Sequence, residues 1–377
     1  MSNSSPPRGA PLGLFLGAPP GLEDTLANEA RALGLSGVTT VPGGVETLGD
    51  WNDVWRANLW LRGATRVLVR VGEFRAMHLA QLDKRAHRFD WASLLRADLP
   101  VKVEATCKRS KIYHAGAATQ RIERAISDTV GAPIAKDAAI TVRLRIEDDL
   151  CTISLDTSGE ALHRRGHKLA VGKAPIRETM AALFLRQCGY DGSQPVIDPM
   201  CGSGTFVIEA AEIALGLAPG RSRTFAFEKL ASFDATAWAA IRADIPGPSS
   251  PPPSFYGSDR DQGAISGARA NADRAGVAAI TEFACHAFSD LPRPAGPPGL
   301  IMINPPYGGR IGNRKLLFSL YGSLGQILKD RFKGWQLGMV TSDGGLAKSM
   351  GLKFSYTSPP IPHGGLQVKL YRADPIT

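Results

Sequence analysis

The sequence predicts an α/β protein: a mixed α+β region followed by a doubly wound parallel sheet. Three observations predict it. The composition over 377 residues, 44% hydrophobic and 21% charged, is that of a globular chain long enough for two or three domains. Up to about residue 160, alternating strands and amphipathic helices follow one another irregularly, whereas beyond it short apolar strands alternate with helices. A glycine-rich turn joins one of these later strands to its helix between Val196 and Ala211.

Leu22, Leu26, Ala30 and Leu33 recur at helical spacing and stop at Gly34, so residues 21–33 read as a helix. A strand is expected over 38–41, a helix over 52–61 and a strand over 67–71. Residues 79–94 read as one long helix, 101–105 as a half-buried strand, and 119–130 as a helix with Ile122 and Ile126 on one face. Ile140 to Ile146 alternates cleanly, and Cys151 to Asp156 follows it through the turn Glu147-Asp148-Asp149. In the second half, helices over 174–188, 205–217, 264–275 and 316–332 interleave with strands over 195–198, 254–257, 299–303, 336–341 and 367–371. The breaker-rich run Pro246 to Pro253 reads as a loop inside this region.

No apolar run reaches the roughly 20 residues of a membrane helix, and residues 1–21 lack the apolar core of a signal peptide. A cytoplasmic protein without membrane partners is expected. Cys107, Cys151, Cys188, Cys201 and Cys285 are scattered without a C-x-x-C pair, which points away from a disulfide framework and from a metal site.

The net charge of +9 is uneven. Residues 62–173 hold 21 Lys and Arg against 13 Asp and Glu, while the first 61 hold 3 against 6. A polyanion such as nucleic acid suits this middle third, although a basic surface without a specific partner would read the same way. Lys108, Arg109, Lys111, Tyr113 and His114 place cations beside flat rings, the combination that neutralises phosphates and stacks on unpaired bases. A second cluster contains Arg164 and Arg165.

In Asp198-Pro199-Met200-Cys201-Gly202-Ser203-Gly204-Thr205, the glycines let a ligand approach the backbone just past a strand end. The dinucleotide fingerprint is incomplete because Val207 stands where its third glycine belongs. An acidic strand end suits a cationic ligand better than a pyrophosphate, and S-adenosylmethionine carries a sulfonium and an ammonium. Asp259 ends the next strand, where a carboxylate can accept both ribose hydroxyls. A plain tight αβ turn is the competing reading. Strand 299–303 runs into Asn304-Pro305-Pro306-Tyr307, whose prolines fix the backbone. The Asn304 side-chain oxygen and the Pro305 carbonyl can accept both hydrogens of an exocyclic amine, and Tyr307 can stack on the base, so catalysis is mostly positioning.

The segments PPGLEDTLANEARALG (19–34), KIYHAGAATQRI (111–122), GKAPIRETMAA (172–182), DPMCGSGTFVIEAA (198–211), GSDRD (257–261) and NPPYGGRIG (304–312) resemble the THUMP-domain class I RNA methyltransferases, nearest in type to the RlmL-type 23S rRNA guanine-N2 methyltransferases. The resemblance spans nearly the whole chain. It implies a ferredoxin-like region over 12–66, a THUMP RNA-binding domain over 67–160 and a Rossmann-like methyltransferase domain over 165–377. It implies S-adenosylmethionine held by Asp198, Pro199, Met200, Cys201, Gly202, Gly204, Thr205, Asp259 and Ala287. It places Asn304, Pro305, Pro306 and Tyr307 at the target base, and Lys173 and Arg177 near substrate. One departure is His286, which stands where many class I enzymes carry an acid for the adenine. With no room for the second methyltransferase domain of bifunctional members, one activity is expected.

The expected activity is methylation of a guanine N2 amine in ribosomal RNA. A transfer-RNA guanine-N2 enzyme, a DNA adenine methyltransferase and a non-catalytic RNA-binding assembly factor are the alternatives.

Overall fold

The computed structural model describes residues 11–170, 175–245, 247, 251–307 and 314–377. The first elements are β1 (Leu12–Gly17), α1 (Glu23–Ala32), β2 (Ser36–Val41), β3 (Gly44–Gly49), α2 (Trp51–Trp60), β4 (Val67–Arg75), α3 (Leu79–Ala86), β5 (Val101–Lys108), α4 (Ala115–Val130), β6 (Ile140–Glu147) and β7 (Leu150–Asp156). Then come α5 (Glu178–Gln187), β8 (Val196–Asp198), α6 (Thr205–Ala214), α7 (Ala235–Ala243), β9 (Phe255–Asp259), α8 (Gln262–Ala275), β10 (Thr281–Cys285), β11 (Leu300–Ile303), α9 (Arg314–Arg331), β12 (Gln336–Thr341), α10 (Gly344–Ser349), β13 (Tyr356–Thr357), β14 (Ile361–His363) and β15 (Leu366–Ala373). Their described residues form two compact units, one containing 27–162 and 223–244, the other 163–222 and 245–377, with residues 11–18 in the former and 19–26 in the latter.

The first unit is built on one seven-stranded sheet in the order β2-β3-β1-β4-β7-β6-β5. Only β5 and β6 are parallel in it; every other pairing is antiparallel. The sheet runs without a break past the expected boundary between residues 66 and 67, because β4 pairs with β1 on one side and β7 on the other. The sequence reading has no counterpart for β1 and β3, whose flanking glycines and prolines mask a buried alternation at Leu14, Leu16 and Val45. The helix expected over 79–94 ends at Ala86. Its last carbonyl accepts the Trp91 indole N–H at 2.8 Å, and Trp91 packs edge-on against Phe89, so the aromatics that look like a helical stripe instead cap it. Residues 223–244 return to this unit as an aromatic plug, in which Phe227 meets Trp238 at 5.0 Å and Trp55 of α2 at 5.9 Å.

The second unit is the doubly wound sheet, ordered β10-β9-β8-β11-β12-β15-β13 with β14 paired to β15. The strands from β10 to β12 are parallel, and β15 is antiparallel to β12. On one face Ile197, Ile301, Ile303, Leu337 and Met339 pack with Leu317, Tyr321, Leu324 and Leu328 of α9. On the other, Gly338 lets Cys188 beyond α5 and Met302 close to the sheet; a Cβ there would lie about 2.6 Å from each sulfur. Strand order reverses between β8 and β11, the switch point where open α/β sheets bind ligands.

Candidate active site

Register brings the acidic and amide groups to one edge of this sheet. Asp198 lies opposite Gly257, Asp259 opposite Cys285, and Ile197 opposite Ile301, so Asp198, Asp259, His286 and Asn304 all fall at the carboxyl ends of four neighbouring strands. Adjacent strands are about 4.8 Å apart, which puts these groups within one small ligand's length.

The turn after β8 is shaped by its glycines. Gly202 (φ +51°) and Gly204 (φ +82°) both occupy the left-handed region. A Cβ at Gly204 would press on Phe283 and Ala268 at 3.1 and 3.2 Å, whereas one at Gly202 would meet open space. Gly204 thus serves packing, and Gly202 leaves room above the loop. The Gly202 amide donates to Asp259 at 3.1 Å, the Cys201 amide to the Ser258 carbonyl at 2.9 Å, and the Met200 amide to Asp198 at 3.1 Å.

Asp198 is buried. Burial pushes its carboxyl up to about 8 against the pull of the Met200 amide, and the charge of Asp259 adds to the rise. Such a group is neutral near pH 7 until a cation approaches. Burial and the same two carboxylates push the Cys201 thiol up as well, so it is an inert lining residue. Pro199 and Thr205 are buried beside them, and Met200 is half-buried.

On the sheet face opposite α6 and α8, a small groove opens among Ile197, Tyr256, Ser258, Glu282, Ala284, His286, Leu291 and two prolines, Pro292 and Pro294. The buried Ser258 hydroxyl has no hydrogen-bond partner among the described residues. The groove is mostly apolar and adjacent to Asp259, which fits an adenine beside a ribose. His286 lines it; Ala287, expected at the cofactor, is exposed one residue further on.

Beyond β11, Asn304 and Tyr307 are half-buried and Pro305 buried. Tyr307 packs against the α9 core, which fixes the base of its ring. Sequence reasoning missed two residues that hold this edge together. Asn271 of α8 accepts the Leu169 and Ala170 amides at 3.2 and 3.3 Å and donates to the Ser203 carbonyl at 3.1 Å, tying the segment before α5 to the glycine turn. Tyr321 reaches the prolyl turn from α9. An inward polar residue in an otherwise apolar helical stripe is the available signal for both.

The expected RNA contacts divide. Arg165 is a correction: its side chain is 1% exposed and pairs with the equally buried Glu209 at 3.4 Å, so it is structural. Arg164 and Arg177 are exposed, and Lys173 lies outside the described residues. Lys108, Arg109, Lys111, Tyr113 and His114 are exposed in the first unit, Tyr113 at 84%. Arg109 holds Asp148 at 2.9 Å and Glu147 at 2.7 Å, and Lys108 holds Glu147 at 3.4 Å, so part of this positive charge is already matched. His114 accepts the Ala117 amide as the cap of α4. Among the described residues no group of three or more His, Cys, Asp or Glu is placed to hold a metal ion, and no helix is long and apolar enough to cross a membrane.

Comparison with known proteins agrees with this geometry. Residues 165–360 match the RMKL-like methyltransferase domain, and residues 13–68 match the RlmL ferredoxin-like domain. Over 384 residues the sequence is 35% identical to ribosomal RNA large subunit methyltransferase K/L of Syntrophotalea carbinolica, a match covering 97% of this chain and 54% of that protein. The chain therefore spans about half the length of this relative. SMU.472, described as a methyltransferase and solved with SAH, superposes with a TM-score of 0.84 at 28% identity, covering 96% of this chain and 98% of that one. A methylase of Listeria monocytogenes str. 4b F2365, described as N6-adenine-specific for DNA, superposes with a TM-score of 0.83 at 30% identity over 96% of both chains. With a family match across more than half its length and an acidic strand edge facing a prolyl turn, the chain belongs to the RMKL-like methyltransferase family.

Proposed function

We propose that this chain is an S-adenosylmethionine-dependent RNA methyltransferase that acts on the exocyclic N2 amine of a guanine in 23S ribosomal RNA. The observation that carries this reading is the alignment of Asp198, Asp259 and Asn304-Pro305-Pro306-Tyr307 on one edge of the parallel sheet. The ribosomal RNA named for the Syntrophotalea relative and the SAH bound by SMU.472 support the substrate and the donor.

In this reading Pro199 to Gly202 and Thr205 wrap the methionyl part of the donor, Asp259 accepts the ribose hydroxyls, and the Ser258–His286 groove takes the adenine. Ala287 sits at the mouth of that groove. When bound, the donor supplies an electrophilic methyl group. Asp198, ionised by the approach of positive charge, favours it electrostatically. Asn304 and Pro305 accept the two amine hydrogens, which aims the nitrogen lone pair, and Tyr307 stacks on the extruded base. The proton leaves to water after transfer. Residues 12–66 form a ferredoxin-like region, 67–160 a THUMP domain whose Lys108 to His114 loop meets RNA phosphates, and 165–377, apart from the 223–244 segment that joins the first unit, the catalytic domain. The enzyme works in the cytoplasm, where its RNA is.

The Listeria relative's description favours a second reading, transfer to adenine N6, because Asn-Pro-Pro-Tyr can hold either amine. Nucleoside mass spectrometry of ribosomal RNA, transfer RNA and DNA from cells with and without the gene separates these. Loss of one N2-methylguanosine from 23S RNA is expected, and its retention in an Asn304→Ala strain would sink the proposal.

A further inference from the structure

Between the α-carbon of Asn304 and the carbonyl of Pro306, four of the five φ and ψ torsions are restrained by chemistry alone. Proline rings lock φ at residues 305 and 306, and a following proline restrains ψ at residues 304 and 305. The torsion left soft is ψ of Pro306. It sets the direction of the Pro306 carbonyl and, through the next peptide plane, the position of the Tyr307 ring.

That carbonyl is the one the fold holds. The Tyr321 hydroxyl, fully buried on α9, donates to it at 3.3 Å. The same hydroxyl lies 3.1 Å from the Thr341 hydroxyl at the end of β12, and the Asp343 amide lies 3.3 Å from Thr341 Oγ1. Proton counting gives the direction. Thr341 Oγ1 accepts from both the Asp343 amide and the Tyr321 hydroxyl, and the single phenolic proton is shared between Thr341 and the Pro306 carbonyl. Burial pushes the Tyr321 phenol up, so it remains a donor throughout the working pH range.

We propose that Tyr321 is a positioning residue: held between Thr341 and the prolyl turn, it steadies ψ of Pro306 and so sets where Tyr307 meets the base. Its catalytic consequence rests on the reading of the prolyl turn given above; its effect on the turn does not.

The test uses the full chain. Amide exchange is read by mass spectrometry on the peptide containing Asn304 and Tyr307, which carry the turn's two amides. Tyr321→Phe should raise exchange there several-fold with β11 and α9 unchanged, while Thr341→Ser, which keeps the accepting hydroxyl, behaves as the wild type. With tritiated S-adenosylmethionine and undermethylated ribosomal RNA, Tyr321→Phe should lower kcat about tenfold without changing affinity for S-adenosylhomocysteine. That loss should vanish in a Tyr307→Ala background. Unchanged exchange at the turn in Tyr321→Phe overturns the proposal, and so does exchange that rises throughout the domain. A wild-type chain that methylates no nucleic acid defeats the functional reading instead, and the exchange measurement still decides this one.

Discussion

The carboxylate of Asp259 accepts the main-chain amide of Gly202 at 3.1 Å, and its second oxygen accepts the Asp261 amide at 3.0 Å. The end of β9 thereby holds the turn after β8 in place before any ligand arrives. An ionised acceptor is worth about 1.5–3 kcal/mol per hydrogen bond. Asp259→Ala should therefore weaken S-adenosylhomocysteine binding at least tenfold by calorimetry. Unchanged affinity would remove Asp259 from the site.

Asp198 makes the pH dependence explicit. Its carboxyl keeps its proton in the folded chain up to about 8, whereas the unfolded chain loses it near the ordinary 3.8. The folded state thus binds more protons between these values, and stability falls as pH rises through that window. Asp198→Asn does not titrate. Its melting temperature should gain on that of the wild type from pH 5 to pH 8, with the gap closing toward pH 4.

Binding of S-adenosylmethionine draws the Asp198 proton off, because the sulfonium favours the ionised form. Calorimetry at pH 7 in two buffers of different ionisation enthalpy should show proton release for S-adenosylmethionine and less for S-adenosylhomocysteine. Equal release for both would place the sulfonium elsewhere.

Gly257 faces the Phe283 ring so closely that a Cβ would lie 2.6 Å from it and 3.2 Å from the Cys201 sulfur. Gly257→Ala should destabilise the chain by about 1–3 kcal/mol in urea titrations, the range for overpacked cores. Phe283→Leu should recover part of the loss.

The loop after β5 carries backbone in the left-handed region at Arg109 (φ +46°), with Asp148 (+51°) and Asp149 (+62°) across from it. Asp149 over-determines the turn, accepting the Lys111 amide and the Ser110 hydroxyl, each at 2.8 Å. Lys111→Ala should lower the salt slope of RNA binding by about one. Asp148→Asn, which removes one of the two carboxylates that hold Arg109, should tighten binding a few-fold. If both variants bind as the wild type, this loop is not an RNA contact.

Much of this site was legible because its chemistry is local. Asp198 and Asp259 end apolar strands, Asn304 directly follows one, and Gly202 lies in the turn beyond β8, a pattern visible in the chain itself. What was hidden depends on partners distant in sequence. Arg165 looks like a surface cation until Glu209 on α6 claims it inside the unit. Tyr321 looks like one more apolar position of α9, and Asn271 like an ordinary polar residue of α8, until the glycine and prolyl turns fold against them. The strands β1 and β3 were unreadable for a related reason: their short glycine-bounded runs acquire strand character by pairing with each other and with β4.

The seven-stranded sheet has a consequence for dissecting this protein. A cut between residues 66 and 67 severs no hinge; it strips β4 from β1 and leaves a raw hydrogen-bonding rim on each fragment. Neither piece should survive as a soluble module, and a protease nick in that connection should release nothing until the whole sheet melts.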